Sequence, residues 1–132
     1  MKKGLIYFIV LSAVILTDCT SREESARRTA EDFLTSYYGA DFSSARDYCT
    51  ASFAALLDTA VSGFNDLPEL IRANMAASAE KTECRITSID AESFEDRIIV
   101  EFEISSEELT GTLKKKLLLA EEDGSFLVDS ID

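Results

Sequence analysis

The spacing of apolar residues along this chain changes once, near Thr82, from a repeat of about 3.6 residues to strict alternation. This one change constrains the fold more than any composition figure. Helices and strands present their apolar side chains at different periods, and a segment cannot satisfy both. Helical spacing comes first and strand spacing follows. That order belongs to an α+β domain in which N-terminal helices pack on one curved antiparallel sheet.

In residues 22–38, Ala26, Ala30, Phe33 and Tyr37 recur at steps of four, three and four, and Leu34 and Tyr38 widen the stripe. Gly39 follows as the expected left-handed residue after the helix. Asp41 suits the N-cap of a short helix reaching Cys49, which turns Phe42 and Ala45 inward. Thr50 suits the cap of a third helix carrying Phe53, Leu56, Leu57, Ala60 and Val61, with Gly63 at its end. Asp66-Leu67-Pro68-Glu69 has capping-box spacing, so Asp66 is the expected cap of a fourth helix to about Glu80.

Four strands are expected at Thr82–Ile89, Arg97–Ser105, Thr112–Ala120 and Ser125–Ile131. Their short connections, with Glu122-Asp123-Gly124 as a hairpin turn, imply a meander covered by the helices on one face. Ile98, Val100, Phe102 and Ile104 share the covered face, as do Leu113, Leu117 and Leu119, with Lys115 interrupting the second set. Ile99, Leu118, Leu127 and Ile131 fall on the opposite phase and are expected to form one apolar patch outside. Lys114, Lys115 and Lys116 fit a strand whose lysines pair with Glu101 or Glu103 across the sheet. If Lys115 points inward, its charge needs a partner there.

The N-terminus carries a different kind of signal. Lys2 and Lys3 precede an uncharged run of 14 residues, Gly4 to Thr17. As a helix it spans about 21 Å, too short for the roughly 30 Å hydrocarbon core but suited to the apolar region of a signal peptide. Leu16-Thr17-Asp18-Cys19 resembles a bacterial lipobox, whose cysteine is diacylated and becomes the first residue of the mature protein. Asp18 departs from the Gly, Ala or Ser of that pattern. An uncleaved anchor and ordinary secretion are the other readings. The expected organisation is a signal peptide over 1–18, a short tether over 19–24 and one α+β domain over 25–132. The expected location is a cell envelope, facing periplasm or cell surface, with two acyl chains holding the protein where one would bind only reversibly.

Removing residues 1–18 takes away two lysines and one aspartate, leaving 24 acidic against 11 basic residues in 114. Such a surface disfavours nucleic acid and anionic headgroups. The chain has no His, which excludes a Ser-His-Asp triad, His-based acid–base chemistry and the commonest zinc and iron sites. No metal or other cofactor is expected. With Cys19 acylated, Cys49 and Cys84 are the remaining pair. Either they form a disulfide, which the envelope permits, or they are two buried free thiols.

The segments Ala30–Leu34, Gly39 with Asp41-Phe42 and Ala45, Cys49-Thr50, and Asp123-Gly124 through Ile131 resemble the nuclear-transport-factor-2-like, or cystatin-like, superfamily. The closest resemblance is to its small bacterial lipoproteins of the Bacteroidetes type. The resemblance implies a cone-shaped sheet wrapped around the first helix with an apolar pocket at its wide end. It implies no reaction, since this architecture hosts enzymes, ligand binders and assembly parts alike. An isomerase-type site would need a carboxylate base in an apolar pocket and a Tyr hydroxyl donor. Tyr37 and Tyr48 are the candidate donors, Asp47 and Asp129 the candidate acids, and Lys115 a candidate pocket residue. No residue-by-residue catalytic match emerges, so no catalytic residues are assigned.

The expected role is a membrane-anchored, non-catalytic ligand-binding or protein-interaction domain. The alternatives are a small-molecule enzyme on the same fold and a homodimeric accessory domain of an envelope assembly acting through its sheet face. Cys19→Ala should leave the chain uncleaved or release it from the membrane, as read by fractionation and intact mass. A variant that partitions and migrates like wild type contradicts lipidation.

Overall fold

The computed structural model describes residues 22–107 and 110–132. The expected signal peptide and Cys19 lie outside the described residues. Helix α1 covers 22–38, the span of the helical pattern, and so includes residues 22–24, which also fall in the expected tether over 19–24. Helix α2 (Phe42–Ala45), a 3-10 turn (Arg46–Tyr48), α3 (Ala51–Asn65) and α4 (Glu69–Glu80) follow. Strands β1 (Thr82–Asp90), β2 (Arg97–Ser106), β3 (Leu113–Glu122) and β4 (Ser125–Ile131) form one antiparallel sheet in the order β1-β2-β3-β4.

The core is α1 laid against one face of this sheet. Ala26, Ala30, Phe33 and Leu34 are buried against Ile98, Val100, Phe102, Leu117, Leu119 and Val128. The two alanines let the helix backbone come close to the sheet, and Phe33 fills the space this leaves toward α3. Its ring stacks on Tyr37 at 5.3 Å and tilts against Phe53 at 6.0 Å. Such pairs stabilise beyond their buried area.

Caps decide where the helices begin. The Asp41 carboxylate accepts from the Ser44 N–H at 3.2 Å, and the Thr50 hydroxyl accepts from the Phe53 N–H at 3.3 Å, both as the sequence implies. The following helix departs from expectation. Gly63 does not end α3, which runs on to Asn65, and Asp66 belongs to that end because its N–H donates to the Ser62 carbonyl. Pro68, which has no N–H to leave unsatisfied, is the N-cap residue of α4 instead. At the end of α1 the left-handed residue is Ala40, with φ 60°, not Gly39. Gly39 is needed there for space, since a Cβ would lie 2.6 Å from the Thr35 carbonyl oxygen.

The β3–β4 turn is a two-residue hairpin, with Asp123 and Gly124 both at positive φ between the paired Glu122 and Ser125. Asp90 shapes the β1–β2 hairpin by accepting from the Glu92 and Ser93 N–H groups. Arg22 then ties α1 to that hairpin, donating to the Phe94 and Glu95 carbonyls at 2.8 and 2.9 Å, while its guanidinium lies 4.9 Å from the centre of the Phe126 ring.

The outer face corrects one expectation. Ile99 pairs with Leu118 and Ala120 with Leu127, giving a half-buried apolar strip across β2, β3 and β4. Ile131 is not part of it. A register shift between Leu118 and Leu119 reverses the phase of β4, so Ile131 pairs with Leu117 and packs on the core. Beside the strip Lys116 lies 3.7 Å from Glu101, one of the lysine pairs expected, while Glu103 is held at 2.9 Å by Arg85 of β1, a pair the sequence pattern does not predict.

Phe33→Ala should cost about 3–5 kcal/mol in urea unfolding, the range for deleting a buried aromatic ring. Leu56→Ala, at a side chain 67% exposed, should change stability by less than about 0.5 kcal/mol.

Candidate functional site

Helix α4 buries none of its residues. Leu70, Ile71 and Met75 remain 73%, 45% and 40% exposed, although their spacing is that of an apolar helix face. Between this helix and the end of α1 lies an open groove of about 470 Å³. Tyr37, Tyr38, Phe42, Ile71 and Met75 supply its apolar walls, and Asn74 and Ser78 add polar groups from α4. The aromatic wall is rigid because its members hold one another. Tyr37 meets Tyr38 and Phe42 edge-on at 5.0 and 5.5 Å, and Phe42 meets Phe64 at 5.7 Å.

Tyr38 divides this groove from a second cleft of about 620 Å³ between α1 and the edge strand β1. Arg27, Glu31, Leu34 and Thr35 line one side of that cleft, and Cys84, Arg85 and Ile86 line the other. The Tyr38 ring rests on Phe102 at 6.1 Å, so it is anchored in the core at the meeting point of the two cavities. Burial, reinforced by the neighbouring Cys84 and Tyr37, keeps its phenol protonated far above the ordinary range. Its hydroxyl chemistry at neutral pH is hydrogen bonding, not base catalysis.

The candidates named from sequence are dispersed. Tyr37 is in the groove. Tyr48 is half-buried on the 3-10 turn, packs on the core and is not among the residues lining the groove. Lys115 pairs with Phe102 on the covered phase of the sheet, but it lines a separate hollow with Glu101, Glu103, Thr87 and Asp132. Asp47 is exposed on the 3-10 turn. Asp129 is occupied structurally, accepting from the Thr50 hydroxyl at 2.7 Å and from Ser52 at 3.4 Å, which ties β4 to the start of α3. Tyr38 was the residue missed as a site candidate. Its place in the α1 stripe was visible, but the cleft beside it depends on where α4 comes to rest.

The structure does not bring Cys49 and Cys84 together. Cys49 bridges to Val128 on β4, and Cys84 lies on β1 at the other edge of the sheet. Three strand spacings, on the order of 14 Å, separate those edges. A disulfide needs Cα atoms within about 7 Å, and both cysteines are free thiols here. Cys49 donates its S–H to the Ala45 carbonyl at 3.2 Å. Burial pushes the Cys84 thiol up to about 11 and the Cys49 thiol up to about 12. Among the described residues no cluster of His, Cys, Asp or Glu could hold a metal ion, and no helix is long and apolar enough to cross a membrane.

Against known proteins, no family model and no curated sequence matches this chain. A search of solved structures finds a Campylobacter jejuni protein described as a nuclear-transport-factor-2-like transpeptidase. The two share 20% identity with a TM-score of 0.54, over 80% of this chain and 97% of that one. At that identity the likeness is one of fold. The fold is nuclear-transport-factor-2-like, with helices against an open four-stranded antiparallel sheet.

Alkylation of Cys84 by iodoacetamide should be slow at neutral pH and rise about tenfold per pH unit until its thiolate forms near 11. Cys49, buried and higher still, should stay unmodified until the protein unfolds. Because the folded thiols sit above their ordinary value of 9.0, their contribution to stability is full below that pH and declines above it. Fast labelling of Cys84 at neutral pH contradicts this environment.

Proposed function

We propose that this protein is a lipid-anchored envelope protein whose domain binds an apolar or weakly polar small molecule without transforming it. The observation that carries the reading is the groove beneath α4, with Tyr37, Tyr38, Phe42, Ile71 and Met75 around it and no carboxylate among its lining residues. An amphipathic helix that leaves its apolar side in water gives up burial worth about 25 cal/mol per Å². A ligand seated against Ile71 and Met75 recovers part of that, while Asn74, Ser78 and the tyrosine hydroxyls can orient one polar group.

The anchor half of the proposal rests on Lys2, Lys3, the apolar run and Cys19. The described part of α1 holds 17 residues, about 25 Å of helix. The groove, lined by Tyr37, Tyr38 and Phe42, opens at the C-terminal end of α1.

A soluble form starting at residue 19 with Cys19→Ser keeps the whole core, which runs from Ala26 to Val128. Titration of this form with n-decanol in a calorimeter should show one saturable site with a dissociation constant of roughly tens to hundreds of micromolar. Ile71→Asp and Met75→Asp should each weaken it by about tenfold or more, since each places a charge in the apolar wall. Binding that survives both substitutions, or no saturable binding by the wild-type domain, removes the support for this site.

A further inference from the structure

The second cleft has a feature that a small ligand does not use. Its floor is the outer edge of β1, which pairs with β2 on one side and with no other strand among the described residues. An edge of this kind offers a row of main-chain N–H and C=O groups to another strand. The open stretch is short. It begins at Thr82, just after α4, and ends at the register shift between Ile86 and Ser88, where the bulge turns the strand away.

The side chains along this stretch are self-complementary. Glu83 and Arg85 lie on the outer face of the sheet, flanking Cys84, which lies on the helix-covered face. If a second copy adds antiparallel with Cys84 opposite its counterpart, Glu83 stands across from Arg85 of the other copy, and Arg85 across from Glu83. Centring the pair on Glu83 or Arg85 would instead place like charges together, so the charges select one register. Arg85 already holds Glu103 at 2.9 Å and is positioned to add a second carboxylate, whereas Glu83 has no ion pair among the described residues. In the helix layer Arg27 and Glu31, one turn apart on α1, line the same cleft, so both signs of charge stand beside the β1 edge there too.

We propose that two copies of this chain join through their β1 edges over Thr82–Ile86, forming a continuous eight-stranded sheet with Cys84 on the two-fold axis. Thr82 borders both the pairing stretch and the α4 groove, whereas Ile71 and Met75, at which the ligand proposal is tested, lie outside the pairing stretch. The same axis, set normal to a membrane, holds both N-terminal tethers at one height. It is also distinct from association through the outer face of the sheet, which would leave the β1 edges apart.

The test uses the full-length chain solubilised in detergent, with sedimentation over a range of protein concentrations as the readout. Wild type should sediment as a dimer, and Cys84→Ser, which changes no cross-strand charge, should keep that dimer. Glu83→Arg and Arg85→Glu, each turning two attractive cross-strand pairs into repulsive ones, should weaken the dimer by on the order of tenfold. The double variant Glu83→Arg/Arg85→Glu restores complementarity and should return to within about twofold of wild type. Both positions are exposed, so the single variants should stay folded, as read by an unchanged far-ultraviolet circular dichroism spectrum. A monomeric wild type, a dimer unmoved by the single reversals, or a double variant no better than the singles overturns the proposal.

Discussion

Contact between the apolar stripe of α1 and the covered face of the sheet is the interaction on which the rest of this structure depends. The largest fully buried side chains are Phe33 of α1 and Phe102, Ile98, Leu117, Leu119, Val100 and Val128 of the strands. Hydrophobic burial on this scale is the term that offsets chain entropy. The remaining elements take their places from it. Helix α3 is positioned by Phe53 against Phe33 and by Thr50 against Asp129. The β1–β2 hairpin is held to the start of α1 by Arg22.

Helix α4 is the exception, and the exception is where function is proposed. Every other helix of the described chain except the short 3-10 turn contributes at least one buried residue, but α4 contributes none. Its sequence is amphipathic and its position is set by chain connection as much as by packing. An element of this kind sits at the low end of local stability, from which binding regions are commonly drawn. The groove thus exists because the core is complete without α4.

The fold was legible because its signals are local. Periods of 3.6 and 2, the caps at Asp41 and Thr50 and the Asp123-Gly124 hairpin depend on neighbours a few residues apart, and each appears in the structure. What escaped depends on contacts distant in sequence. The bulge that turns Ile131 inward is set by how β4 meets β3, and no composition cue marks it. Asp129 reads as a solvated acid until β4 is placed beside Thr50. The spacing of Asp66 and Glu69 resembles an N-cap, but Asp66 is the C-cap of α3. The site was hardest to read, because Tyr38 becomes a cavity wall only once α4 and β1 close around it.

The central claim is that α1 and the sheet form a self-sufficient core and that the exposed underside of α4 is a binding surface. Amide hydrogen exchange with and without n-decanol addresses both parts in one experiment. The account predicts that residues 69–80 exchange well before α1, β2 and β3 in the free domain. It also predicts that decanol slows exchange in residues 69–80 and 37–42 alone. Exchange in α4 as slow as in α1, or ligand protection confined to other parts of the chain, would contradict it.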